Sequence, residues 1–127
     1  MQAEELKELV ADIQKLKTGK QTIELKLANH GCPTKLFDTL SSFANQDDGG
    51  IIIFGVDEND DYKAKGVYDP QDLQKKVTEQ CKQMEPLIRA LFTVADVDGK
   101  VVVSAEIPGS DVADRPVFYK GVGRLKG

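Results

Sequence analysis

The sequence predicts an α+β domain in which one mixed β-sheet of about six strands packs against three helices. The 127 residues are 40% hydrophobic and 30% charged, which fits one soluble globular domain. The apolar spacing changes several times between the three-to-four repeat of helices and the two-residue repeat of strands. In addition, Asp98-Gly99 separates two apolar segments in the manner of a hairpin turn. We therefore expect residues 1–127 to form a single mixed domain.

The first two elements are a helix and a strand. Apolar residues recur every three or four positions over residues 4–17, which predicts an amphipathic helix. Residues 22–27 alternate strictly between polar and apolar, as in a strand with one buried face. Glu24 and Lys26 belong to its polar set, so both side chains are expected to point away from the core on the same side.

A second helix and a buried strand come next. Apolar spacing predicts the helix over residues 34–45, and a glycine-containing turn ends it. The continuous apolar run at residues 51–54 is typical of a strand covered on both faces. Asp57 follows that strand, at the carboxyl end where α/β sheets often place ligand sites. Residues 62–67 are expected to return as a short hairpin partner.

The third helix has clear start and stop signals. Asp69 is a capping acid, and Pro70 suits the first helical position. Apolar spacing extends this helix to Met84 or Glu85, and Pro86 ends it.

The last third is predicted to be β-structure. Residues 88–97 and 100–107 flank the Asp98-Gly99 turn and should form a hairpin. Residues 117–119 have the composition of one more strand. Exposed late strands of this kind would allow a homodimer.

Several functional classes are disfavoured by composition. No apolar stretch approaches the roughly 18 residues of a membrane span, and the acidic start lacks the pattern of a secretion signal. Cys32, Cys81 and the single His30 make neither a disulfide framework nor a zinc set. The chain also lacks the phosphate-loop and Rossmann glycine motifs. We expect a cytoplasmic protein with no membrane partner, in which His30 and Cys32 have no catalytic role.

Positive charge is concentrated near the end of the chain. The net charge is -4, yet residues 115–127 contain four basic residues and no acid. These residues are Arg115, Lys120, Arg124 and Lys126. Two interpretations remain open: a local electrostatic footprint for an anionic partner, or a solvated tail-like segment.

A second polar set allows an alternative function. Glu24 and Asp57 could supply carboxylate oxygens to Mg²⁺ or Mn²⁺, and Lys26 could face a phosphate. Such a set would suit metal-dependent cleavage of a phosphodiester. Glu-x-Lys pairs on strands and acidic turns after strands are also common surface features without function.

Five segments together resemble the Schlafen AlbA-type DNA-binding domain, which is found in bacterial transcriptional regulators and RecG-related proteins. The glycine pair, apolar strand and Gly-Val-Asp of residues 49–57 form the most specific match. The other matching segments are Thr22-Ile23-Glu24-Leu25-Lys26, Leu40-Ser41-Ser42-Phe43-Ala44-Asn45, Lys65-Gly66-Val67 and Arg115-Pro116-Val117-Phe118-Tyr119. The strand that the family places next is absent, so we expect residues 1–127 to be the N-terminal part of a longer regulator.

The resemblance implies binding of DNA, and RNA is a second candidate. Eukaryotic Schlafen relatives use this core as an RNA endonuclease with three acids. Glu24 and Asp57 match two of these acids and Lys26 matches the adjacent lysine, whereas the third acid falls at Gly19. The resemblance thus favours a binding domain without enzymatic activity or cofactor. The alternatives are a metal-dependent nuclease core and a ligand-sensing or protein-interaction module.

The hypothesis names the residues that would contact phosphates. They are Lys26, Arg115, Lys120, Arg124 and Lys126. Such contacts position a nucleic acid more than they read its sequence. Only Phe118 and Tyr119 are aromatic in this region, so no base readout is predicted.

Overall fold

A computed structural model describes residues 1–17 and 22–121 as three α-helices and eight β-strands. The helices are α1 (Ala3–Leu16), α2 (Phe37–Ala44) and α3 (Pro70–Lys82). The strands are β1 (Ile23–Lys26), β2 (Gly50–Phe54), β3 (Val56–Asp57), β4 (Lys63–Ala64), β5 (Met84–Glu85), β6 (Leu91–Val97), β7 (Lys100–Ile107) and β8 (Phe118–Tyr119). The α+β class predicted from the sequence is confirmed.

The main sheet has four strands in the order β1-β2-β7-β6. β1 runs parallel to β2, and the other neighbours are antiparallel. The remaining strands form two separate ribbons, β3-β4 and β5-β8, so the prediction of one sheet with about six strands is corrected. Gly55 separates β2 from β3 with a φ of 104°, and this left-handed conformation turns the chain out of the sheet.

Helices cover both faces of this sheet. On one face, α1 buries Leu6, Val10 and Ile13 against a cluster that includes Ile53 of β2. On the other face, α2 and α3 pack on a cluster that includes Ile52. Each such buried side chain stabilises the fold by about 1.5–3 kcal/mol. The prediction that residues 51–54 form a strand covered on both faces is therefore confirmed.

Local signals for the third helix and the late hairpin are also confirmed. The Asp69 carboxylate accepts hydrogen bonds from the amides of Gln71 and Asp72, at 3.0 and 3.1 Å. Asp98 and Gly99 both have positive φ, as a two-residue hairpin turn between β6 and β7 requires. β6 is an edge strand of the main sheet, and a homodimer through it stays a prediction.

Two helix boundaries differ from the sequence prediction. The second helix begins at Phe37 rather than at residue 34, and the Leu36 amide before it donates to Gln80 Oε1 of α3 at 3.0 Å. The third helix ends at Lys82, because the next residues form β5 and pair with β8. Within the described residues, none of the helices is both long and apolar enough to span a membrane.

Candidate functional site

Glu24 and Lys26 lie side by side on β1, an edge strand of the main sheet. They are in register with Ile52 and Phe54, so both side chains point toward the α2 and α3 side. Lys26 Nζ lies 3.6 Å from Glu24 Oε1, and both side chains are partly exposed. The pair forms a weak surface contact whose cation can exchange its partner for another anion.

Asp57 is placed at the same end of the sheet as Lys26. The Gly55 amide, two residues earlier, donates to the carbonyl of Lys26 at 2.8 Å. Val56 is buried on the α1 side, so strand alternation turns Asp57 away from α1. Asp57 Oδ1 accepts a hydrogen bond from the Asn59 amide at 2.9 Å. That Glu24, Lys26 and Asp57 share one continuous surface stays a prediction.

The carboxylates considered as metal ligands can be compared with what a metal centre needs. Within residues 1–17 and 22–121, no three His, Cys, Asp or Glu side chains come together in a group that could hold an ion. Gly19, where the resemblance expects the third acid, lies outside the described residues. Glu24, one of the two candidate ligands, faces Lys26. The described residues therefore do not fit a built metal centre.

His30 and Cys32 lie in the loop between β1 and α2. His30 is exposed, and Cys32 is half-buried. Burial raises the pKa of the Cys32 thiol, which is the opposite of what a nucleophilic cysteine needs. Burial also raises the pKa of Cys81 to about 11, and its side chain is part of the core beneath α3.

Arg115 is already bonded within the fold. Its Nε and Nη2 atoms donate to the carbonyl of Ser110, at 3.2 and 2.9 Å. Nη2 also lies 2.9 Å from Asp47 Oδ1, and the arginine side chain is only 22% exposed. These contacts join the turn after α2 to the loop after β7, so Arg115 positions that loop.

The backbone of Val117 is clamped by the end of α2. Asn45 Nδ2 donates to the Val117 carbonyl at 3.1 Å, and Asn45 Oδ1 accepts from the Val117 amide at 2.8 Å. Ser41 Oγ donates to the same carbonyl at 2.9 Å. Because Val117 is buried, these bonds satisfy backbone groups that water cannot reach. The clamp fixes the position of the backbone directly before β8.

Lys120 lies three residues after Val117 in the chain, and its backbone is also held. The Tyr119 ring stacks on Phe37 with centroids 3.7 Å apart, and the Lys120 amide donates to the Gln83 carbonyl at 3.0 Å. Lys120 Nζ lies 3.9 Å from Glu85 Oε2, and both side chains are more than half exposed. The backbone is thus held while the ammonium group stays available. Tyr119, one of the two aromatic residues considered for nucleic-acid contact, is used in packing.

A cleft of about 470 Å³ opens beside Lys120. Its second cation is Arg89, which makes no ion pair within residues 1–17 and 22–121. We call it the Arg89 cleft, and its lining residues come from four segments: Ala44, Glu85 to Arg89, Pro108 to Ser110, and Asp114 with Val117 and Lys120. Sequence reasoning missed Arg89, because only the pairing of β5 with β8 brings residues 85–89 next to Lys120.

The predicted basic residues are divided between two ends of the sheet. Lys26 is in register with Phe54 at one end of β2. The Arg89 cleft lies at the other end, where Pro108 follows Ile107, the partner of Gly50. Four residue steps separate Gly50 from Phe54, or about 13 Å along the strand. Arg124 and Lys126 lie outside the described residues, and the assignment of all five residues to nucleic-acid binding stays a prediction.

Comparison with known families gives one match over most of the chain. The sequence model of the family described as Schlafen, AlbA_2 matches residues 19–124. No curated protein matches the chain.

Solved structures show the same fold. The N-terminal domain of a RecG-related protein from Nitrosomonas europaea is similar with a TM-score of 0.76 and 26% identity, over 97% of this chain and 83% of that one. The DIP2311 protein from Corynebacterium diphtheriae is similar with a TM-score of 0.56 and 16% identity. This chain covers 93% of its own length in that match but only 24% of DIP2311, and the likeness is one of fold alone.

Proposed function

The chain belongs to the Schlafen AlbA_2 family, and from this premise we propose that it is a nucleic-acid-binding domain, with DNA as its target, in a bacterial transcriptional regulator. Its neighbour from Nitrosomonas europaea is named for its relation to the ATP-dependent DNA helicase RecG. The observation that carries the proposal is the convergence of Arg89 and Lys120 on one cleft. The two residues are far apart in the sequence, and one of them lies in the segment predicted to contact phosphates.

Local charge supports binding despite the net charge of -4. The Debye length is about 8–10 Å near physiological salt, so distant acids are largely screened from a phosphate at the cleft. Both side chains of the Lys120–Glu85 ion pair are exposed, so the pair contributes little free energy. A phosphate can therefore replace the Glu85 carboxylate as the partner of Lys120. We propose Lys120, Arg124, Lys126 and Arg89 as phosphate contacts, with Lys26 as a separate contact at the far end of the sheet.

Arg115 has a different part in this proposal. Its guanidinium is held by Ser110 and Asp47, so a phosphate would have to displace both. We assign it to positioning the loop that lines the Arg89 cleft rather than to direct contact.

Titration of the chain with labelled duplex DNA, single-stranded DNA and RNA tests the proposal. We expect the logarithm of the affinity to fall linearly with the logarithm of the salt concentration, because binding releases ions condensed on the phosphates. If none of the three nucleic acids binds at low salt, the domain is instead a ligand-sensing or interaction module.

A second candidate is a metal-dependent nuclease, which is favoured by Glu24 lying beside Lys26 on β1 and by Asp57 following at the end of the sheet where Lys26 lies. We nevertheless expect no cleavage of RNA or DNA in Mg²⁺ or Mn²⁺. Gly19 supplies no carboxylate at the third acidic position, which weakens metal binding and charge neutralisation. The measurement is product formation on gels with each metal and with EDTA. Metal-dependent cleavage that Glu24→Gln abolishes would establish the nuclease instead.

A further inference from the structure

We infer that the Arg89 cleft binds one unstacked nucleotide of a single-stranded nucleic acid. The inference rests on the proposed function and adds a substrate class to it. The cleft volume of about 470 Å³ is within the usual range of small-ligand sites. A nucleotide combines a flat apolar body, a polar edge and an anionic group, and the cleft presents a counterpart to each.

The apolar part of the cleft suits the face of a base. Ala44, Ile88 and Val117 are buried, so they form an apolar floor. Leu87 is 50% exposed at the same cleft, beside the ring of Pro86. An exposed leucine alone means little, but here it extends a floor that is already apolar. Proteins that hold an unstacked base place it against aromatic or apolar side chains of this kind.

The polar part of the cleft carries both signs of charge. Arg89 and Lys120 can pair with a phosphate, whereas Glu85 and Asp114 would repel a simple anion. Asp114 makes no ion pair within the part of the chain that the structure describes. Its carboxylate can accept from an amino group on a base edge, as acidic side chains do with cytosine N4. The mixture therefore favours an amino-bearing nucleotide over a free phosphate.

Single strands fit this site better than duplexes. In a duplex both faces of a base are stacked and its pairing edge is occupied, and flipping the base out costs a few kcal/mol. A single strand presents the base without that cost. The amino preference also separates two pyrimidines of similar size: cytosine has the amino group and thymine lacks it.

The test uses fluorescence anisotropy with labelled oligo(dC), oligo(dT), the RNA counterpart oligo(C) and a mixed-sequence duplex, all at one salt concentration. We expect oligo(dC) to bind at least fivefold more tightly than oligo(dT), and Asp114→Asn to reduce this ratio. Leu87→Ala should weaken single-strand binding at least fivefold, a larger loss than it causes for the duplex. Leu16→Ala is the matched control, since Leu16 is a leucine that is 66% exposed on α1. The comparison of oligo(dC) with oligo(C) shows whether DNA or RNA is the source of the nucleotide.

The outcomes separate this inference from the proposed function. If Leu87→Ala binds single strands as the wild type does, and oligo(dC) equals oligo(dT), the inference is overturned. Duplex binding that Arg89→Ala weakens would then still support the proposed function. If neither duplex nor single strands bind at low salt, both fail. Circular dichroism of each variant shows that the fold is retained.

Discussion

Replacing Asn45 with alanine is expected to lower the free energy of unfolding by about 2–3 kcal/mol. The substitution removes both hydrogen bonds between the Asn45 amide and the backbone of Val117. Ser41 still donates to the Val117 carbonyl, but the Val117 amide is left without its acceptor. A buried N–H without a partner costs more than the net value of one hydrogen bond, because water does not replace the missing acceptor.

Chemical denaturation of Asn45→Ala beside Gln46→Ala measures this effect. Gln46 is the next residue in the chain, and its side chain donates only a 3.4 Å bond to Ser42 within the described residues. Its substitution should change the stability by less than about 0.5 kcal/mol. Asn45→Asp keeps an acceptor for the Val117 amide but removes the donor to the Val117 carbonyl. The stability of this variant should therefore lie between those of Asn45→Ala and Gln46→Ala. Equal stability of Asn45→Ala and Gln46→Ala would show that the clamp contributes nothing.

The elements that the sequence predicted well are those that have a clear local signal. Asp69-Pro70 begins a helix because the carboxylate caps nearby amides and proline needs no hydrogen-bond acceptor. Asp98-Gly99 forms a hairpin because both positions adopt positive φ. Residues 51–54 are apolar without alternation because helices pack on both sides of β2. In the first two cases the physical cause lies within a few residues of the signal. In the third, the covering helices are distant in the chain, but the unbroken apolar run itself records burial on both faces.

The elements that were missed depend on partners distant in the sequence. Met84 continues the apolar spacing of α3, but Met84 and Glu85 form a strand because they pair with Tyr119 and Phe118. The size of the sheet was overestimated for a similar reason. β3, β4, β5 and β8 have two residues each, and their pairing in separate ribbons depends on where the chain bends.

The residues of the candidate site also divide into those that a local signal predicts and those that depend on distant parts of the chain. Alternation along β1 was enough to predict that Glu24 and Lys26 share a side, since this requires only a strand. Nothing local marks Arg89, which precedes β6 in an irregular segment. Arg115 was predicted as a phosphate contact from composition, whereas its bonds to Ser110 and Asp47 depend on the folded loops. The number of basic residues in a segment identifies candidate phosphate contacts, but it does not show which of these side chains are held by other groups in the folded chain.

The double substitution Lys120→Ala with Arg124→Ala is expected to weaken nucleic-acid binding by on the order of tenfold for each phosphate interaction that it removes, at about 0.1 M salt. The slope of log affinity against log salt on a duplex should also fall by about 0.9 for each phosphate that is no longer neutralised. The weakening should be similar for unrelated sequences, because interactions with phosphates carry no base information. Stability should change little, since Lys120 contributes only an exposed ion pair at 3.9 Å.

Binding of an unrelated duplex at several salt concentrations measures both the affinity and the slope. The charge-matched control is Lys7→Ala with Lys15→Ala, which removes two positive charges from α1 on the opposite face of the sheet. If binding responds only to net charge, affinity will fall equally in the two double variants, and the local footprint is refuted. If affinity and slope fall only in the Lys120 and Arg124 variant, local potential governs binding in a chain whose net charge is -4. An unchanged slope in that variant would mean that these two residues do not contact phosphates.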